Sequence, residues 1–268
     1  MSSTSNLAVI ICHGSYHSPA PYLPFVEALK AKGIEAYCPQ LPTADLTKLN
    51  AGDINNPDFD RDPPSGGYPQ GEEDTEVVLD VLRPVVSRGK QVLIIAHWAG
   101  GWVAAEAARP ALQAKSRKDE GLAGGIIGIL FMGAFIITPK DGSFVTPPFM
   151  RFHKHGGAGL GTMVEPEKFL FNNLDEAEAK KWAATLTASP ILTTKLSNDA
   201  YAALPCAYLV LEGDRTLPKE YQEGMVAGQS QKTGAFTMYH CEAGHSPHLS
   251  WTDGLVNTVQ DFVKKIEV

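Results

Sequence analysis

The stretch Val92 to Glu106, VLIIAHWAGGWVAAE, decides the fold. Val92, Leu93, Ile94 and Ile95 form an apolar run typical of a buried strand, Gly100 and Gly101 are a tight pair, and Trp102 to Ala108 reads as a small-residue helix. Strand, sharp turn and helix in that order make the setting of a nucleophile elbow, where one side chain is held out over the sheet edge. In that pattern the residue after His97 would be serine; here it is Trp98. An indole offers one N–H donor and no lone pair to attack a carbonyl carbon, so Trp98 cannot act as a nucleophile.

Working outward, the 268 residues suit one α/β domain over 1–268 with a large core. Hydrophobic content of 44% and charged content of 20% are those of an ordinary globule, and no apolar run reaches a membrane span. A net charge of -7 argues against nucleic acid or an anionic membrane as partner and leaves a small molecule. The N-terminus, MSSTSNLAVI, lacks the features of a secretory signal, which sets the expectation of a cytoplasmic protein. Cys12, Cys38, Cys206 and Cys241 show no zinc-type spacing and are expected as reduced thiols. The sequence leaves the substrate and the oligomeric state open.

Leu7 to Cys12 is a strand delivering His13-Gly14-Ser15-Tyr16-His17-Ser18 to the carboxyl edge of a sheet, where ligands of open α/β folds collect. Gly14 lets that loop approach a ligand closely, and Tyr16 and His17 are expected to line the pocket. Ile34 to Cys38 is a second strand, Leu41 to Gly71 a solvated excursion, and Glu72 to Arg88 a helix with Val77, Val78, Val81, Leu82 and Val85 on one face. Ile126 to Phe131, Ala207 to Leu211 and Phe236 to His240 complete the strands, and a helix bearing Leu255, Val256, Val259, Phe262, Val263 and Ile266 closes the chain. The alternation gives a mostly parallel sheet with helices on both faces. Thr138 to Pro205 breaks the pattern and reads as a cap insertion, walling a pocket with Phe152, Met163, Phe169, Phe171 and Trp182. His153 and His155 within it are read as part of a solvated basic loop, since no third metal ligand accompanies them.

Asp214 and His245 each follow a late strand, in the chain order nucleophile position, acid, histidine. In that order the histidine moves the proton and the carboxylate fixes its tautomer. Asp141 competes for the acid role, but Asp214 sits closer to a strand end; His248 is assigned to the pocket wall. Ser246 follows a strand with no elbow helix behind it and is rejected as nucleophile. Main-chain N–H groups of Ser15 and Ala99 are the candidate oxyanion hole, and both survive the tryptophan.

The motifs His13-Gly14-Ser15-Tyr16-His17, Ala96-His97-Trp98-Ala99-Gly100-Gly101, Leu211-Glu212-Gly213-Asp214 and Gly244-His245-Ser246-Pro247-His248 together resemble the α/β-hydrolase superfamily. Within it they resemble the branch of plant methylesterases and hydroxynitrile lyases, with fungal and bacterial esterase relatives. Phe169 to Leu174 resembles that branch's cap. The resemblance implies an α/β-hydrolase fold and a metal-free, cofactor-free enzyme for small hydrophobic carbonyl compounds such as esters or lactones. Trp98 departs from it at the nucleophile, leaving three readings. The chain is a serine esterase or lactonase inactivated at one position; or a catalyst of lyase or isomerase type using His245 without a covalent intermediate; or a ligand-binding protein on a retired scaffold.

Overall fold

The computed structural model describes residues 6–136 and 148–266. Its strands are β1 (Leu7–Cys12), β2 (Glu35–Tyr37), β3 (Gln91–His97), β4 (Gly125–Met132), β5 (Met150–Phe152), β6 (Leu160–Met163), β7 (Ser189–Pro190), β8 (Cys206–Leu211) and β9 (Thr237–Cys241). The helices are α1 (Leu23–Ala31), α2 (Gly71–Ser87), α3 (Gly100–Ala107), α4 (Ala114–Asp119), α5 (Pro166–Phe169), α6 (Glu176–Ala183), α7 (Ala200–Ala203), α8 (Lys219–Thr233), α9 (Pro247–Ser250) and α10 (Thr252–Ile266). Among the described residues no helix is long and apolar enough to cross a membrane.

One six-stranded sheet, ordered β2-β1-β3-β4-β8-β9, forms the body, and every pairing in it is parallel. A parallel strand in mid-sheet is buried on both faces, so its sequence is an unbroken apolar run. In β1, Ala8, Ile10 and Cys12 join Val92, Ile94 and Ala96 under α2 and α3, while Leu7, Val9 and Ile11 join Leu93 and Ile95 under α1 and α10. The chain leaves β1 toward β2 and returns on the other side as β3. Between these two strands lies the point where strand order reverses, and there the carboxyl-end loops splay apart to leave a crevice. The β1 loop and the β3 elbow are those loops.

The cap begins, within the described residues, with an antiparallel sheet ordered β5-β6-β7 and continues through α5 and α6. Its strands are two to four residues long, too short for an alternating pattern to stand out in sequence. The long stretch after β2 is less solvated than its composition suggests. Leu41, Thr43, Ala44, Leu49 and Ala51 are buried, and Leu49 packs with Leu160 and Ala188 of the cap. Further along, Asp60 and Asp62 face His153 and His155 at 3.7 and 3.3 Å, so the basic loop docks on the acidic excursion instead of standing in solvent. In α2 the buried stripe runs through Asp74, Thr75, Val78, Leu79, Leu82, Val85 and Val86, leaving Val77 and Val81 at its edge. The stripe is rotated because Asp74 turns inward, accepting the N–H and the hydroxyl of Thr43 at 2.9 and 2.7 Å.

The elbow depends on two missing side chains. A Cβ on Gly100 would stand 2.1 Å from the Cys12 carbonyl oxygen, and one on Gly101 would stand 2.0 Å from that of Phe135. Both obstacles are backbone, so neither clash relaxes by turning a side chain. Gly100→Ala is therefore expected to lower the denaturant midpoint by the equivalent of about 3 kcal/mol or to prevent folding. Gly224→Ala, in α8 with open space around the new Cβ, is expected to raise it by up to ~1 kcal/mol. Equal midpoints for Gly100→Ala and the parent would remove this account of the turn.

Candidate active site

The strand β3 ends at His97, and Trp98 takes φ +49°, left-handed backbone that a bulky residue adopts only when its surroundings impose it. Those surroundings are visible. The Trp98 carbonyl accepts the N–H groups of Gly101 at 3.2 Å and Phe135 at 2.9 Å, clamping the turn between α3 and the loop after β4. The side chain is thereby aimed over the carboxyl edge, where it is 4% exposed. The indole meets the rings of Tyr16 and Phe149 and belongs to one buried cluster with Leu170, Phe171 and Ala179, which Phe169, Met163 and Trp182 border. The cap thus closes over position 98, and the tryptophan fills the space beneath.

His245 stands beside it, ring centroids 4.8 Å apart and planes at 89°. Its Nδ1–H donates to Asp214 Oδ2 at 2.8 Å. The other carboxylate oxygen accepts the N–H groups of Thr216 and Leu217 at 2.7 and 2.9 Å, which orients Asp214 before the histidine is considered. His245 Nε2 is buried with no hydrogen-bond partner among the described residues. Glu212 faces His240 and Lys219 at the surface instead, and Asp141, the competing acid, lies outside the described residues.

The candidate oxyanion loop is held from both sides. Tyr16 has φ +65°; its N–H donates to Ser189 Oγ at 2.9 Å and its carbonyl accepts Thr187 N–H at 2.7 Å, so the end of the cap fixes the turn. Among the described residues the N–H groups of Ser15 and Ala99 donate to no backbone acceptor, and both residues are half-buried beside one narrow cleft that Leu41, Thr43 and Asp74 line and that Trp98 and His245 do not. Such free donors are what an oxyanion requires. The indole lies close against Gly14: a Cβ there would stand 3.1 Å from Trp98 Cβ and 3.4 Å from its Cε3.

A chain of hydrogen bonds runs behind the site. Gly14 N–H donates to Tyr22 Oη at 3.2 Å, Tyr22 O–H to His97 Nδ1 at 2.6 Å, and His97 Nε2–H to the His245 carbonyl at 2.8 Å. The candidate oxyanion loop and the His245 main chain are tied together through the residue just before Trp98. Tyr22 gave no signal in sequence, being one aromatic in a helical approach. The ties from the cap were equally silent: Ser189 on Tyr16, and Asn172 and Asn173 on the carbonyls of Gly213 and Glu242 at 3.0 and 3.3 Å. Phe149, beside the indole, was also missed.

Of the expected pocket residues, Gly14, Tyr16, His17, Phe169 and Trp182 gather at or around Trp98. His248 does not wall that pocket. It is fully buried, stacked on Tyr22 at 4.2 Å and 9°, and edge-on to His97 at 5.3 Å, because Pro247 starts α9 and turns the following side chain back toward the body. Phe152 is also displaced. On short β5 it borders Tyr16 across Gly161 and lies outside the cluster around the indole. Among the described residues no group of three or more His, Cys, Asp or Glu side chains could hold a metal ion.

Burial sets the charge of this region. Desolvation lowers His13 to about 4 and His17 to about 3, and it pushes His97 and His248 well below the usual range, so these rings are neutral. Desolvation likewise raises Asp74 to about 7.

The family model described as "Alpha/beta hydrolase family" matches residues 9–258. The curated protein "Alpha/beta hydrolase nvfD" of Aspergillus novofumigatus is 26% identical over 265 residues, covering 95% of both chains. Among solved structures, the methylesterase MES16 from Arabidopsis superposes with a TM-score of 0.66 at 14% identity, over 96% of this chain and 99% of its own. Tomato methylketone synthase I, complexed with 2-tridecanone, superposes at 0.67 with 11% identity, over 97% and 99%. At these identities the structural likenesses speak to the fold.

The buried rings make stability depend on pH. Below about pH 6.5 the unfolded chain protonates its histidines while the folded chain holds these four neutral, so folding loses stability as pH falls toward 4. Asp74 works in the opposite direction: folded, it stays protonated up to about 7, whereas the unfolded carboxyl ionises near 3.8, so its cost grows as pH rises between those values. Four rings against one carboxyl should give a falling thermal midpoint from pH 7 to 4.5. Asp74→Asn is expected to steepen that fall by removing the opposing group. A midpoint that is flat or rising on acidification would contradict the burial of these rings.

Proposed function

Because the chain belongs to the alpha/beta hydrolase family, we propose that its centre is built for small hydrophobic esters or lactones and that Trp98 closes it, leaving the chain inactive as a serine hydrolase. The observation that carries the reading is the left-handed Trp98, buried and set against His245, whose Nε2 has no partner. In a serine enzyme that nitrogen takes the proton of the nucleophile as oxygen attacks the carbonyl carbon, and main-chain donors hold the oxyanion. The His245–Asp214 pair and the donors of Ser15 and Ala99 suit those tasks; the attacking oxygen is missing. The ester class rests on the apolar surroundings of position 98 and draws support from the esterase name of the Arabidopsis neighbour. A small-molecule ligand and a cofactor-free site belong to the same proposal.

A second reading rests on the intact pair. His245, oriented by Asp214, can serve as acid or base without a covalent intermediate, as a lyase or isomerase would require. The neighbour named as a synthase makes this worth separating from the first reading.

Trp98→Ser restores a hydroxyl at the one position served by both the base and the main-chain donors. It is expected to hydrolyse a short activated ester such as p-nitrophenyl butyrate with an acyl-enzyme burst, at a rate on the order of 10³ times the parent's or more. A further His245→Ala change should abolish the gain. If Trp98→Ser remains folded and inert on esters and lactones while the parent converts another carbonyl compound in a His245-dependent way, the non-covalent reading replaces this one.

A further inference from the structure

Trp98 does more than lack an oxygen: its indole sits in a fitted space. Four rings bound it, His245 at 4.8 Å and 89°, His17 at 6.1 Å and 77°, Phe149 at 6.3 Å and 70°, and Tyr16 at 5.8 Å and 52°. Perpendicular and tilted pairs at these separations are the arrangements in which aromatic quadrupoles attract. On the remaining side lies the bare backbone of Gly14, close enough that one added carbon would touch Cβ and Cε3 of the indole. The space is therefore bounded by the Gly14 backbone and four rings, with Leu170 and Ala179 in the same cluster, and adjoins both His245 and the loop carrying the Ser15 donor.

The geometry points to a flat-aromatic subsite, formed by Tyr16, His17, Phe149, His245 and Gly14, that this chain occupies with its own Trp98 in place of the aromatic acyl group of a substrate. The inference rests on the ester-centre reading above and adds to it the class of acyl group. A planar ring makes perpendicular or tilted contacts with the surrounding rings and lies on the Gly14 backbone without clash. A saturated ring of similar size is puckered, presents hydrogens above and below its mean plane, and has no π-face for those rings. Shape and electrostatics therefore discriminate in the same direction. The indole also sets the size limit, since the space accommodates a bicyclic group attached through one carbon.

Two measurements test this, the first of which needs no catalysis. Trp98→Ala empties the space, and free indole is expected to raise its thermal midpoint in a saturable manner, as a ligand of the folded state must. Cyclohexanemethanol at equal concentration should do so weakly or not at all, and the parent, whose space is filled, should respond to neither. If Trp98→Ala does not fold alone, the yield of folded protein with and without indole is the reading. A rise with indole alone supports the subsite; equal effects of the two compounds, or none from either, overturn it. Trp98→Ser is then given p-nitrophenyl benzoate and p-nitrophenyl cyclohexanecarboxylate, with kcat/KM for each divided by that ester's rate with hydroxide. The expected preference for the aromatic acyl group is about tenfold, the order that one or two favourable ring pairs supply. Hydrolysis of both without preference defeats the subsite and leaves the ester centre standing. Indole binding to Trp98→Ala combined with an inert Trp98→Ser defeats the ester centre and leaves the subsite standing.

Discussion

The left-handed backbone at Trp98 is the constraint on which the rest of this structure depends. It arises because Gly100 presses against the Cys12 carbonyl and Gly101 against that of Phe135, while the Trp98 carbonyl is taken by two N–H groups. With those contacts made, the side chain at 98 has one direction available, upward from the carboxyl edge. The sheet order places the β1 loop beside the elbow, the cap covers it, and late strands deliver Asp214 and His245 to the same edge. A side chain of any chemistry at this position would be presented to the same groups.

The second organising element is the neutral polar seam behind the site. Histidine in an apolar core is tolerated when each nitrogen finds a partner of the right kind. His13 meets this through Gly14 O and Leu41 N–H, and His97 through Tyr22 and the His245 carbonyl. These rings act as fixed connectors holding the His13–Ser18 loop and the His245 loop in register, a role that needs no charge. His245 differs, because its Nδ1 faces a carboxylate, whereas Nδ1 of His17, whose Nε2 is likewise without a partner, meets a main-chain carbonyl. That asymmetry separates a ring suited to carrying a proton from rings that hold the frame.

The fold was legible because mid-sheet parallel strands must be apolar throughout, which made Leu7–Cys12 and Val92–Ile95 unmistakable, and because the double glycine after position 98 leaves few backbone shapes. Asp214 and His245 were legible through chain order after their strands. Side-chain ties between distant segments were not: nothing local to Tyr22 or Ser189 records that His97 or Tyr16 will arrive beside it. The same applies to His248, whose spacing from His245 suggests a shared wall while α9 turns it onto Tyr22. Pairs far apart in the chain carry no periodicity, so sequence patterning cannot place them. The rotated stripe of α2 has a related cause, since inward-facing Asp74 is satisfied by Thr43, a partner 31 residues away.

The tryptophan changes the energetic sign of the elbow. Left-handed backbone at a non-glycine residue costs about 1–3 kcal/mol, and with serine there the small side chain recovers little of it by burial. An indole removes on the order of 150–250 Å² from water, worth about 4–6 kcal/mol at ~25 cal/mol per Å². The burial term therefore exceeds the strain. Trp98 joins Phe149, Leu170 and Phe171 as apolar filling between body and cap, so the residue at the tip of the elbow also holds the two together. Of the side chains the elbow could present, the one in this chain packs the cap onto the body.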